Sequence, residues 1–176
     1  TQTNRSSPVQ VSGLNTAMAV AGGGEHSLAR CSDGLLWAWG GNYAGQLGDN
    51  TSTTRTTPVQ VSGLTNVTAI DAGGFHSLAI RADGTAWAWG DNNYGELGIS
   101  SSAYVRLVPT QVAGLSGVVA VAAGKEFSVF GAQPPHPADL DGDRDVDAAD
   151  AEIFTICASG PGIHHLAGCA IGDFDD

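Results

Sequence analysis

The stretch Asp139 to Asp150, DLDGDRDVDAAD, sets six carboxylates within twelve residues. Acids this dense repel one another, and a hard divalent cation offsets that repulsion. Counted from Asp139, the acids Asp139, Asp141, Asp143, Asp145, Asp147 and Asp150 fall at positions 1, 3, 5, 7, 9 and 12 of a calcium loop. Position 7 would use its backbone carbonyl, and Val146 supplies the small apolar anchor that follows it. Arg144 stands where the sharp turn favours glycine, at a cost of about 1–2 kcal/mol, so calcium is expected with weakened affinity. A register starting at Asp141 would end on Glu152 but would force β-branched Val146 into that turn, and is rejected.

A second constellation is His26-Ser27, which recurs as His76-Ser77. Histidine and serine can form a base and a nucleophile. Neighbours on a strand point to opposite faces, so no Ser–His bond is expected within either pair. The third occurrence carries Phe127 in place of the histidine, as a structural position tolerates. The expectation is a buried, hydrogen-bonded histidine, with no catalytic residue and no enzyme.

The elements that position these residues follow from self-similarity. Residues 5–54 align without a gap on 55–104. PVQVSGL at Pro8 returns at Pro58, and GGGEHSLARCSDGLLWAWGGNYAGQLG returns as AGGFHSLAIRADGTAWAWGDNNYGELG. A third copy, residues 106–131, stops before any Asp-Gly turn or Trp pair. Each unit reads as antiparallel β: NVTAIDAG and HSLAIRADG as alternating runs, Asp33-Gly34 and Asp83-Gly84 as hairpin turns, and TAWAWG as the returning strand. Trp87 and Trp89 then share one face, and Trp37, Trp39, Trp87 and Trp89 are expected between neighbouring units rather than on a sugar-stacking surface. A sheet this small cannot bury its own faces and needs neighbouring copies, as propeller blades do.

The two in-register copies of AGGFHSLAI and DGTAWAWGDNNYGELG resemble the regulator of chromosome condensation repeat family over residues 5–131. The resemblance implies a β-propeller, usually of seven blades, of which this chain supplies about two and a half. The expected fold is therefore all-β, a partial propeller over residues 1–132 (units 5–54, 55–105 and a partial 106–131). Ring closure within one such chain is impossible, so the open blade ends are expected either to associate with copies of the chain or to leave it poorly stable. Repeat-to-repeat differences are where specificity would sit, which makes Tyr43, Phe75, Asn93 and Tyr94 the candidate partner-binding residues.

After a Pro-rich spacer at 133–138, residues 139–176 read as the calcium loop followed by one helix, DAADAEIFTICASGPG, capped by Asp147. Loop plus helix resembles half of a dockerin, and GDFDD at the end of the sequence repeats the start of the loop. That small α/loop segment implies attachment to a cohesin-like receptor or another cell-surface component. Cys157 and Cys169 flank a Gly-rich loop and are expected to close a disulfide in an oxidising compartment, while Cys31 stays unpaired.

The net charge of −11 is uneven: residues 1–138 hold 8 acids and 6 bases, residues 139–176 hold 10 acids and 1 base. No basic patch is available to neutralise a phosphate backbone, which disfavours nucleic acid. No apolar run reaches the length of a membrane span. The sequence-based expectation is a secreted or cell-surface, calcium-binding protein–protein interaction module. The alternative is an accessory part of a secreted carbohydrate-active or other hydrolytic enzyme.

Overall fold

The computed structural model describes residues 6–99 and 103–133. The chain divides into two units, Thr1–Gln133 and Pro134–Asp176. The loop acids Asp139, Asp141, Asp143, Asp145, Asp147 and Asp150, the following helix, and Cys157 and Cys169 all lie outside the described residues. The described part is built of ten strands with no helix.

Three antiparallel sheets follow one another along the chain. The first has four strands in sequential order: β1 (Ala17–Gly22), β2 (His26–Cys31), β3 (Leu36–Gly40) and β4 (Arg55–Gln60). The second repeats this with β5 (Val67–Ala72), β6 (His76–Arg81), β7 (Ala86–Asp91) and β8 (Val105–Gln111). The third consists of β9 (Val118–Ala123) and β10 (Ser128–Ala132). The β2–β3 and β6–β7 registers superimpose residue for residue, Ser27 facing Trp39 as Ser77 faces Trp89.

The Asp-Gly turns close as three-residue loops. Gly34 and Gly84 take φ of 74° and 71°, and the Asp33 and Asp83 carboxylates each accept the N–H two residues on at 3.0 Å. The outer strands β4 and β8 were not foreseen in the sequence. Each carries a proline, Pro58 or Pro109, and each lies at a sheet edge with a register shift where it pairs with the Trp strand. An edge strand tolerates proline because its outward N–H has no ladder partner to lose.

The core lies between sheets. Leu28, Leu36, Leu47, Val61, Leu64 and Trp89 pack the first sheet against the second. Leu78, Ile80, Leu97, Val112 and Val118 pack the second against the third. Trp89 is fully buried, whereas Trp39, its counterpart in the first sheet, is only half-buried, since among the described residues no sheet covers the front of the first; Trp37 and Trp87 are both half-buried. Outer faces show the same rule. Val20 on β1 is 75% exposed, while Ile70, its counterpart on β5, packs against the core. Val129 on β10 is 54% exposed, while its counterparts Leu28 and Leu78 are at 0%.

The sequence repeat and the sheet are out of phase. Residues 55–60 open the second sequence repeat but form the last strand of the first sheet. Residues 8–11, the equivalent stretch before the first sheet, form no strand.

Candidate functional site

Histidine and serine do meet, but across sheets. His26 Nε2 lies 2.9 Å from Ser77 Oγ, fifty-one residues away, and Ser77 Oγ lies 2.8 Å from the Gln46 carbonyl. The arrangement recurs one sheet along, with His76 Nε2 3.0 Å from Ser128 Oγ and Ser128 Oγ 2.6 Å from the Glu96 carbonyl. A carbonyl only accepts, so each serine's single hydroxyl proton goes to it. The serine therefore accepts from the histidine, whose proton sits on Nε2.

That order is the reverse of a base facing a nucleophile, and it makes these pairs clamps between sheets. Nδ1 of both rings is buried without a partner. Burial lowers the His26 pKa to about 4, with His76 adding to the effect. Burial also lowers that of His76, against an upward pull from Glu96, Asp91 and Asp71. Both rings are thus neutral near pH 7, as a one-donor clamp requires.

The backbone around the clamp is glycine for a steric reason. A Cβ at Gly23 or Gly73 would run into the ring of His26 or His76 and into the next sheet's carbonyl at Gly73 or Gly124. The same close approach lets Gly24 N–H reach the Gly73 carbonyl at 3.0 Å. The expected absence of a bond within each His-Ser pair agrees with this geometry; the bond between repeats was missed. A signal for it was present: the third repeat keeps Ser128 while replacing the histidine with Phe127, as it would if the two residues serve opposite interfaces.

Above the clamps the strand-connecting loops form a rim. Asn42, fully buried, organises the first loop. Its amide nitrogen reaches Asp49 Oδ1, the Thr51 carbonyl and the Thr53 carbonyl at 2.9–3.1 Å, and its oxygen accepts Leu47 N–H at 2.9 Å. Asn92 does the same for the second loop, toward Ala103 and Leu97. Asp49 also pairs with Arg55 at 2.8 Å. Burial works to raise the Asp49 pKa, but hydrogen bonds from Thr51, Arg55 and Asn42 outweigh it and hold the group below the usual carboxylate range. Neither asparagine was singled out from the sequence.

Of the four candidate partner-binding residues, Tyr43 and Phe75 come together. Their ring centroids are 5.4 Å apart at 54°, one from the first sheet's loop and one from the second's. Tyr43 is 56% exposed. Its pKa is raised by burial and by Glu25, which accepts its hydroxyl. Asn93 and Tyr94 occupy the corresponding turn of the second sheet and do not join that pair in a single cluster. Asn93 is held by Asp91, and Tyr94, 74% exposed, lines a cavity with Glu96, Phe127 and Phe130.

Residues 33–80 and 83–130, together more than half of the chain, match the family described as regulator of chromosome condensation (RCC1) repeat. A second description of the same repeat matches residues 19–46 and 67–96. No curated protein matches the sequence significantly. Among solved structures, human WBSCR16 is similar at 26% identity and a TM-score of 0.57, covering 62% of this chain and 29% of that one. Yeast RCC1 (Prp20), solved with Kap60 bound, is similar at 30% identity and a TM-score of 0.61, covering 69% and 31%. Prp20p from Saccharomyces cerevisiae, described with its binding properties to Gsp1p and histones, shares the fold at 22% identity and a TM-score of 0.62, covering 81% and 34%. The chain spans about a third of the length of these proteins.

Proposed function

The chain belongs to the regulator of chromosome condensation (RCC1) repeat family, and from that premise we propose that its blades form a protein-binding scaffold whose contact surface is the loop rim centred on Tyr43 and Phe75. The observation that carries this reading is the tilted, partly exposed aromatic pair at a point where the repeats diverge, Glu25 in one copy being Phe75 in the next. Exposed aromatics backed by a rigid, hydrogen-bonded loop are what anchor a protein interface. A relative solved with a protein partner, yeast RCC1 (Prp20) with Kap60, supports it. A photo-cross-linking residue at position 43 should trap a discrete polypeptide, and Phe75→Ala should weaken capture about tenfold or more. Equal capture by the Phe75→Ala protein would overturn the assignment of the rim.

For residues 139–176 the proposal is one calcium ion held by Asp139, Asp141, Asp143, Asp147 and Asp150 with the Asp145 carbonyl, in a protein exported and anchored through a cohesin-like receptor. The ligand spacing supports it. Calorimetric titration of the full chain with calcium should show one site, lost in Asp139→Ala. Absence of heat, with no change in thermal unfolding on adding calcium, would reject it.

A further inference from the structure

No tryptophan follows Trp89 in the sequence and, among the described residues, the third blade has no strand beyond β10, yet the structure retains the mould of a Trp strand there. In the second blade Trp89 sits opposite Ser77 across the β6–β7 ladder. Its indole N–H donates to the Gln46 carbonyl at 2.9 Å, and the ring lies against Gly48, whose ideal Cβ would be 2.8 Å from Trp89 Nε1. Gly48 has φ of 65°, so its missing side chain serves both the turn and the ring.

One blade along, each contact of Trp89 has its counterpart. Glu96 stands for Gln46, Gly98 for Gly48, Val112 for Val61 and Ser128 for Ser77. The Glu96 carbonyl takes the Ser128 hydroxyl just as the Gln46 carbonyl takes that of Ser77. Where the indole would lie there is a cavity of about 350 Å³ lined by these four residues and by Tyr94 and Phe130. Beside it, β10 pairs only with β9, so its other edge is open among the described residues. The four tryptophans of the chain are Trp37, Trp39, Trp87 and Trp89, all within the first two blades and all on strands paired on both sides.

We infer that the open edge of β10 and the adjoining cavity form a docking site for an extended peptide segment of another polypeptide, which adds as an antiparallel strand and seats a tryptophan opposite Ser128. Ladder hydrogen bonds would supply affinity and the pocket specificity, as in other strand-addition complexes. The site is continuous with an interface the molecule already makes, since the first blade receives Trp89 in the same way. A folded second copy cannot donate such a strand, because its Trp strands are flanked by β2 and β4 or by β6 and β8. Phe130 sharpens the preference. It stands where Ala79 faces Trp87, so the residue two positions before the seated tryptophan should be small.

The probe is a dye-labelled peptide copying Asp83–Asp91, DGTAWAWGD, titrated against the full chain by fluorescence anisotropy. Saturable binding is expected. Alanine for the second tryptophan of the peptide should weaken it at least tenfold, whereas alanine for the first should leave it unchanged or tighter. Hydrogen exchange should show new protection at Ser128–Ala132. Val112→Phe in the protein should fill the cavity and abolish binding. Should that variant fail to fold, the paired peptides on the unmodified chain still decide the matter. No binding of the parent peptide, equal binding of the second-tryptophan variant, or protection on β1 instead of β10 would each overturn the proposal.

Discussion

Trp89→Ala is expected to lower the free energy of unfolding by about 3–5 kcal/mol, a large share of the stability of a domain this size. The indole is fully buried, belongs to the core joining the first two blades, and satisfies the Gln46 carbonyl. Its removal leaves a cavity that Gly48 cannot fill, having no side chain of its own. Trp39→Ala, at the equivalent position of the first blade, should cost less than half as much, because that ring is only half-buried among the described residues. Chemical denaturation of both variants against the parent checks the pair. Equal losses would mean that the tryptophans act within their own sheets and not between them.

Acid should loosen the same interface. The His26 pKa is lowered by burial to about 4 from an unfolded value near 6.5. Above pH 6.5 the ring is neutral in both states and pH has no effect through it. Between pH 6.5 and 4 the unfolded chain takes up a proton that the folded chain refuses, so stability falls as pH falls, by roughly 3 kcal/mol across the window. His76, shifted in the same direction, adds to the loss. Urea midpoints at pH 7.5 and 4.5 measure it. His26→Gln keeps an N–H for Ser77 but cannot titrate, and should visibly flatten the dependence. An unchanged slope in that variant would move the effect to other groups.

The period of the repeat, the Trp strands and the Asp-Gly turns were legible because each is written in consecutive residues: alternation, a turn dipeptide, and an in-register second copy. The strands β4 and β8 were not. Arg55–Gln60 has no alternation and contains Pro58, and it becomes a strand only because β3 offers an edge that tolerates a proline. The His26–Ser77 bond was invisible for a different reason, since its partners lie on different blades and only the stacking of sheets brings them to 2.9 Å. Local rules correctly kept each histidine from its neighbouring serine but could not supply the serine one repeat on. At the rim, divergence between copies marked Tyr43 and Phe75 as worth attention, and the fold added that they touch. Asn42 escaped notice because an asparagine in a Gly-rich loop is ordinary. Its importance lies in the several backbone groups that converge on it.

The offset between repeat and sheet has a mechanical consequence. A fifty-residue unit contributes the closing strand of one blade and the first three strands of the next, so adjacent units overlap like roof shingles rather than abutting like bricks. The second or third unit cannot melt without stripping β4 or β8 from the blade before it, and melting of the first leaves β4 without the strand it pairs with. A tandem array built this way resists fraying from within and behaves as one cooperative block. For the same reason a unit inserted in register brings its own overhang and accepts its neighbour's, so the array can lengthen by duplication without an unmatched seam.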